Sequence, residues 1–165
     1  MQRDALNNVG VFLMDQGKTP QALPYLERLV EGYPAYFSGR VNLADAYLLN
    51  RDYVRATEQY RQALALQPGS GRALTGLGDV ALAEDHRQEA RRFYQEALAR
   101  GWDQPELHLS LAQLAMRDHQ PDEALRQLTR AVNQGLAQPE SLITRPEFAP
   151  LRYSPLFRRL QEHTQ

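Results

Sequence analysis

Cysteine is absent from the 165 residues of this sequence. Its absence excludes thiolate zinc sites, cysteine nucleophiles and disulfide frameworks, and it is compatible with both the cytoplasm and the periplasm. No apolar run approaches the roughly 20 residues that span a bilayer. The N-terminus also lacks the basic region and apolar stretch of a signal peptide. We therefore expect no membrane insertion.

A large excess of charge of either sign is missing too. Nineteen basic residues oppose twenty acidic ones, which gives a net charge of -1 and no support for nucleic-acid binding. Lysine occurs only at Lys18, and this preference for arginine is typical of bacterial proteins from GC-rich genomes. The length and the hydrophobic fraction of 42% suit one folded domain. Because helical periodicity begins within the first few residues, either the protein starts abruptly or the chain is a piece of a longer one, and we favour the second.

The sequence does contain an internal repeat of 34 residues, visible as five registers that recur in phase over four copies. The registers are Ala22, Ala56, Ala90 and Ala124; Leu26, Tyr60, Tyr94 and Leu128; Leu29, Ala63, Ala97 and Ala131; Val30, Leu64, Leu98 and Val132; and Val9, Leu43, Leu77 and Leu111. Each member of the last register is followed by a small residue, namely Gly10, Ala44, Gly78 and Ala112. Such self-similarity is the signature of a repeat architecture.

Each copy has the spacing of two helices joined by a short turn. In the second copy Ala56, Tyr60 and Leu64 follow one another at intervals of four residues, as on one side of an α-helix. Asn50-Arg51-Asp52 interrupts the pattern before this helix, and Gln67-Pro68-Gly69 ends it because proline cannot continue a helix. No segment is a candidate strand. The sequence therefore predicts an all-α fold of stacked helical hairpins.

These residues resemble the consensus of the tetratricopeptide repeat. The matching positions are Leu43-Ala44, Tyr47, Tyr53, Ala56, Tyr60, Ala63-Leu64 and Pro68. The resemblance implies a right-handed α-solenoid, the superhelix of this family, with four repeats at residues 3–36, 37–70, 71–104 and 105–138. Residues 139–165 would follow as C-terminal capping helices. It also implies a protein-interaction module and no catalysis.

Two kinds of departure from the consensus fall in the turns. Arg51, Asp85 and His119 replace the glycine between the helices of a repeat, and Trp102 and Leu136 replace the terminal proline. We expect looser turns at these places.

The small residues after the Val9 register are expected where the two helices of a hairpin approach most closely, so that a larger side chain would cost about 1–3 kcal/mol.

The period stops after Gln138. Ser154-Pro155 predicts an N-cap followed by proline at the first helical position. Leu156, Phe157 and Leu160 give this helix an apolar side. Because helical arrays need a terminal element with a polar outer face, we favour a structural cap over a binding tail.

No pattern indicates catalysis, a metal or a cofactor. The four histidines, His86, His108, His119 and His163, lack an i, i+4 histidine partner and an H-E-x-x-H arrangement. Gly76 and Gly78 lie inside a predicted helix, whereas a phosphate-binding loop joins a strand to a helix. No nucleophile, base and orienting group occur together. We therefore expect a protein that is not an enzyme.

The resemblance implies a peptide-binding groove on the first helices of the repeats. Its expected exposed positions are Asn7, Asn8, Val11, Asn42, Asp45, Arg72, Thr75, Asp79 and Gln113. The asparagine amides would suit an extended backbone. Asp45 and Asp79 occupy equivalent places one repeat apart, and the two aspartates would favour a basic side chain on the ligand. One subclass binds a C-terminal carboxylate, but of its matching positions here (Asn7, Val11, Asn42, Arg72 and Gly76) only Asn42 agrees, so we do not expect that specificity.

The leading hypothesis is a bacterial scaffold or adaptor that binds a protein or peptide. One alternative is an accessory repeat domain of a larger enzyme or signalling protein. Another is a secretion chaperone, although its clients would need a long apolar groove. Self-association as a homodimer through the first hairpin also stays open, because Val9, Phe12 and Leu13 have no preceding repeat to cover them.

Overall fold

The computed structural model describes residues 2–162 of the chain. These residues form nine α-helices: α1 (Gln2–Asp15), α2 (Thr19–Gly32), α3 (Phe37–Leu49), α4 (Tyr53–Leu66), α5 (Gly71–Ala83), α6 (Arg87–Ala99), α7 (Pro105–Arg117), α8 (Pro121–Asn133) and α9 (Pro155–Glu162). Two 3₁₀ helices, Pro139–Thr144 and Pro146–Leu151, lie between α8 and α9. Over the described range no residue is in a β-strand. The predicted all-α fold of helical hairpins is confirmed.

The chain divides into two compact units between Gly101 and Trp102. In the first unit α1 pairs with α2, α3 with α4 and α5 with α6, and the second helix of one hairpin packs on the first helix of the next. In the second unit α7 pairs with α8, and the C-terminal segment packs against them. The repeat boundaries and the single domain expected from the sequence stay predictions.

Small residues mark the closest approach within a hairpin, as predicted. A Cβ atom added to Gly10 would lie 2.5 Å from Leu26 Cδ2, and one added to Gly78 would lie 2.3 Å from Tyr94 Cε1. Both partners are fully buried on the second helix of the same hairpin. The register of small residues is therefore a packing requirement.

Two further glycines mark the contact between neighbouring hairpins. A Cβ atom at Gly39 would lie 3.0 Å from Leu29 Cδ2 on α2, and a Cβ atom at Gly76 would lie 2.3 Å from the Tyr60 ring on α4. The first helix of one hairpin thus approaches the second helix of the previous hairpin closely. This stacking buries the apolar side that no hairpin covers alone.

In all four copies, the turn between the helices of a hairpin has a residue with a left-handed backbone at the same position. Gly17 has a φ of 69°, and the corresponding Arg51, Asp85 and His119 have φ values of 60°, 61° and 57°. Backbone hydrogen bonds across the turn, such as that from Asp52 N to Tyr47 O, repeat from copy to copy. The three substitutions therefore change the residue at this position while the backbone conformation is kept.

The C-terminal segment packs on α7 and α8 of the second unit. The second 3₁₀ helix contacts both of these helices. Phe148 and Phe157 are fully buried in the same apolar cluster as Leu128 of α8. Ser154 Oγ accepts from Phe157 N at the start of α9, as the predicted N-cap requires. Residues 163–165, the end of the predicted capping segment, lie outside the described residues.

The longest helices of the described range have 14 residues. None of the helices within residues 2–162 is long and apolar enough to cross a bilayer.

Candidate protein-binding surfaces

Polar side chains of α1, α3 and α5 form a connected network across the first helices of the three hairpins in the first unit. Asn42 is its centre: Asn42 Nδ2 donates to Asn7 Oδ1 at 2.8 Å, and Asn42 Oδ1 accepts from Arg72 Nη2 at 2.9 Å. The same Arg72 nitrogen donates to Asp45 Oδ2 at 2.9 Å. We call the surface formed by Asn7, Asn42, Asp45 and Arg72 the first-helix surface.

Two buried tyrosines support this surface from the second helices. Tyr60 OH donates to Asp45 Oδ1, and Tyr94 OH donates to Asp79 Oδ1 at 2.8 Å. Burial, followed by the charge of the nearby Asp45, raises the pKa of Tyr60 well above 10, so this hydroxyl remains a donor. The two pairs stand one repeat apart, which confirms that Asp45 and Asp79 occupy equivalent places.

Seven of the nine predicted groove positions are exposed or half-buried, but Asn42 and Thr75 are buried, with exposed fractions of 7% and 6%. Their predicted exposure was wrong for local reasons. Asn42 is covered because it bonds to side chains on both neighbouring hairpins. Thr75 Oγ1 donates to Gly71 O within its own helix. Asn42 is therefore a structural link within the surface.

The remaining positions differ in their surroundings. Asn8 and Arg72 are exposed, and Asn7, Val11, Asp45 and Asp79 are half-buried, all in the first unit. Gln113 belongs to the second unit, where its Nε2 donates to Glu147 Oε1 of the second 3₁₀ helix at 3.2 Å. The structure thus brings four predicted residues, Asn7, Asn42, Asp45 and Arg72, into one bonded group.

An apolar surface lies on the outer side of the first hairpin. Val9 is 39% exposed and Phe12 is 61% exposed. Their equivalents in the next two hairpins, Leu43 and Ala46 of α3 and Leu77 and Val80 of α5, are buried. Leu13 differs from the prediction because it is half-buried and packs against the core of the first unit. Val9 and Phe12 alone therefore represent the predicted exposed patch.

A buried histidine in the second unit was not predicted from the sequence. His108 is 1% exposed, with Nε2 2.6 Å from Asp103 Oδ1 and Nδ1 2.6 Å from Gln127 Oε1. Gln127 Nε2 donates to Glu123 Oε1, which fixes the orientation of the amide. Both ring nitrogens thus face side-chain oxygens within hydrogen-bond distance.

The carboxylate beside this histidine, that of Asp103, has a lowered pKa. The hydrogen bond from His108, together with those from Gln134 and Arg130, lowers the pKa of Asp103 to about 2. Asp103, just before α7, bonds to His108 of α7, to Arg130 of α8 and to Gln134 just after α8. It therefore links the two helices of this hairpin. These side chains bond to one another, so this cluster serves the packing of the fourth hairpin.

The other histidines show no such environment. His86 precedes α6 and His119 lies in the turn before α8, and both are exposed. His163 lies outside the described residues. Among residues 2–162 no group of three or more histidine, cysteine, aspartate or glutamate side chains is placed to hold a metal ion.

Comparison with protein families identifies the repeat. The family model for the tetratricopeptide repeat matches residues 13–70 and 41–105, which together cover more than half of the chain. The chain belongs to the tetratricopeptide-repeat family. No curated protein matches the sequence. Proteins with this fold commonly mediate interactions between proteins, and scaffolds of the family are generally not enzymes.

Solved structures of the same fold include a thermophilic tetratricopeptide-repeat protein, TTC0263 of Thermus thermophilus, with 24% identity and a TM-score of 0.73 over 82% of this chain and 75% of that one. PilF of Pseudomonas aeruginosa is 23% identical, with a TM-score of 0.71 over 98% of this chain and 74% of PilF. The Cut9–Hcn1 structure of the APC/C is 17% identical, with a TM-score of 0.73 over 80% of this chain and 25% of that one. At these identities the similarity concerns the fold.

Proposed function

We propose that the chain is a non-catalytic scaffold or adaptor that binds an extended peptide segment of a protein partner along the first-helix surface. The observation that supports this proposal is the bonded series Asn7, Asn42, Arg72 and Asp45, which holds polar side chains in a fixed order across three hairpins. A surface whose side chains are already ordered loses little entropy on binding.

Arg72 is the residue of this surface with the most free capacity for a ligand. A guanidinium has five N–H donors, and the hydrogen bonds of Arg72 to Asn42 and Asp45 both use Nη2. The side chain is 46% exposed. Its other donors suit backbone carbonyls or a carboxylate of the bound segment. Val11 and Asp79, both half-buried, would lie along the same path.

The aspartates now support a basic ligand side chain less strongly than their sequence positions suggested. Asp45 already accepts from Tyr60 and Arg72, so a cation of the ligand would compete with two internal donors. We therefore propose that hydrogen bonding to the peptide backbone contributes more to affinity than a charge pair at Asp45.

The groove is tested with peptides selected from a random library displayed on phage. We expect Arg72→Ala to weaken the selected peptides by about tenfold or more, because charged hydrogen bonds are worth roughly 1.5–3 kcal/mol. Arg61→Ala is the matched control, since Arg61 is an exposed arginine on α4, a second helix. Equal affinity of both variants, with unchanged circular dichroism, would remove the first-helix surface from the proposal.

We propose the outer side of the first hairpin as a second protein-binding surface. Val9 and Phe12 are exposed where the equivalent residues of the next two hairpins are buried, so a helix of another protein could cover them in the way α2 covers α3.

The two alternatives from the sequence remain as proposals. An accessory domain of a larger enzyme would use the same surfaces, and the full natural reading frame decides between it and a separate adaptor. A secretion chaperone is less favoured, because the first-helix surface is polar throughout the bonded series.

A further inference from the structure

We infer that the outer side of the first hairpin binds the same surface of a second copy of this chain, so that α1 packs on its partner's α1 about a two-fold axis near Val9. This inference rests on the proposed binding role of that surface and names its partner.

Five exposed residues in α1 and at the position that follows it form a stripe with the spacing of a helix–helix contact. Gln2, Ala5, Val9, Phe12 and Gln16 recur at alternating intervals of three and four residues, which keeps them on one side of a helix. Gln16 directly follows α1, and its N–H donates to Phe12 O, so the helical path continues to it. We call these five residues the α1 stripe. Its centre is apolar and both ends are uncharged amides.

The α1 stripe contains no charged residue, in contrast to the exposed sides of α4 and α6. Arg55, Glu58 and Arg61 are exposed on α4, and Glu89, Arg92 and Glu96 are exposed on α6. At a two-fold axis a residue meets its own copy, so a charge near the axis would face a like charge. An uncharged stripe is what self-association requires.

The charged residues of α1 lie away from the stripe. At about 100° per residue, Arg3 and Asp4 point roughly 120–140° from its centre, and the exposed Asp15 points roughly 100° from it. Arg3 is already engaged, because its guanidinium bonds to Asp4 and lies 4.8 Å from the centroid of the Tyr36 ring. These charges therefore stay outside the contact.

The packing of α3 shows what kind of neighbour suits the α1 stripe. Gly39, Leu43 and Ala46 of α3 correspond to Ala5, Val9 and Phe12, and all three are buried. Leu29 of α2 lies against Gly39. A helix with apolar side chains is thus the natural occupant of this set of positions, and α1 itself presents such side chains.

A head-to-tail contact with a second copy is closed off within the second unit. Tyr60 of α4 packs against α5 of the next hairpin, and the equivalent residue of α8 is Leu128. Leu128 is fully buried in one cluster with Phe148 and Phe157 of the C-terminal segment. The side of α8 around Leu128 is therefore covered within the chain, so an α1 stripe of a second copy does not pack there as α5 packs on α4, which favours contact between the two α1 stripes.

The contact is small, so we expect a reversible dimer. One helix side is smaller than the about 800 Å² per partner of a standard interface, and weak, transient complexes are typical of such small contacts. Sedimentation velocity on the full natural polypeptide should show a mass that rises with concentration towards a dimer, which for this chain alone is twice 18.8 kDa.

Phe12→Glu is the first variant, because it puts a like charge beside the axis from each copy. We expect it to raise the dimer dissociation constant at least about tenfold. Val54→Glu is the matched control: Val54 is 80% exposed on α4, outside the stripe, and its replacement should leave the constant unchanged. Both positions are exposed, so circular dichroism should show unaltered folding.

Val9→Cys tests the axis directly, since the chain has no cysteine of its own. Oxidation should yield a disulfide-linked dimer, whereas Val54→Cys should remain monomeric under the same conditions. A wild-type protein that is monomeric at all concentrations, a dimer insensitive to Phe12→Glu, or equal cross-linking of both cysteine variants would overturn the inference.

The two proposals for this surface can fail separately. If the wild-type protein is monomeric and Phe12→Glu abolishes binding to a different purified partner, the second copy is the wrong occupant while the outer side remains a protein-binding surface. Peptide binding at Arg72 is measured independently and is not affected by either result.

Discussion

At the scale of single residues, Gly76 is the clearest case of a position that has no room for a side chain. A Cβ atom there would lie 2.3 Å from the ring of Tyr60, which is 1% exposed and bonded to Asp45. We expect Gly76→Ala to destabilise the first unit by about 1–3 kcal/mol, because the buried ring must shift. Urea unfolding followed by circular dichroism measures the change.

Gly32→Ala is the control for this prediction. Gly32 is also helical, but a Cβ atom added there would meet no neighbouring atom within 4 Å. Alanine should therefore be neutral there or stabilise by up to about 1 kcal/mol through its helix propensity. Equal effects of the two substitutions would show that the approach of α5 to Tyr60 is looser than 2.3 Å implies.

Residue-level features were predictable from the sequence only where they repeat. The 34-residue period identified Gly10 and Gly78 as packing glycines, and the recurrence of Asp45 and Asp79 placed them at equivalent sites. The tyrosine partners of these aspartates follow 15 residues later in both copies, so a search for paired periodicities would have found them.

Features that occur once could not be found in this way. The burial of Asn42 depends on Asn7 and Arg72 of two other hairpins, at distances of 35 and 30 residues along the chain. His108 has no equivalent histidine in the other copies, and its buried ring nitrogens have Asp103 and Gln127 as partners. Such contacts are set by tertiary packing of particular side chains, which a local pattern does not determine.

At the scale of the structural elements, the intra-hairpin turns combine one backbone conformation with four different residues. Arg51 has a φ of 60°, a conformation that costs a non-glycine residue about 1–2 kcal/mol. Arg51 is exposed. We expect Arg51→Gly to stabilise the first unit by about 0.5–1 kcal/mol, after the greater chain entropy of glycine is subtracted. Thermal and urea unfolding measure the gain.

The reverse change in the first hairpin provides the comparison. Gly17 has a φ of 69° and an open surrounding, so Gly17→Ala should destabilise through backbone strain alone. Gly69→Ala, also in an open surrounding but without a left-handed backbone, should stay within about 0.5 kcal/mol of the wild type. Loss of stability in Arg51→Gly would mean that the arginine side chain contributes more than the strain removes.

The second helices of the hairpins end in two different ways. After α2 and α4 the chain continues through Tyr33-Pro34 and Gln67-Pro68, as the consensus predicts. Where Trp102 and Leu136 replace that proline, the residue before them is a glycine with φ of 80° or 91°. A left-handed glycine ends the helix there instead of proline. The prediction of looser turns did not take these glycines into account, and it stays a prediction.

At the scale of the whole molecule, the first and the last hairpin differ in whether their apolar outer side is covered. The α1 stripe is exposed, whereas Leu128 of α8 is fully buried with Phe148 and Phe157. The cost of an uncovered apolar side is proportional to its area. In the second unit, residues 146–160 therefore replace the hairpin that would otherwise follow α8.

Phe148→Ala measures how much this replacement contributes. Phe148 is fully buried against α7 and α8, so we expect a loss of about 3–5 kcal/mol in the free energy of unfolding of the second unit. Tyr153→Ala is the control, because Tyr153 is 86% exposed in the same segment and its loss should cost less than about 0.5 kcal/mol. Urea unfolding is followed by the fluorescence of Trp102, the one tryptophan of the chain. If both variants cost equally little, the segment is not part of the core of the second unit, and α8 must be covered by a partner instead.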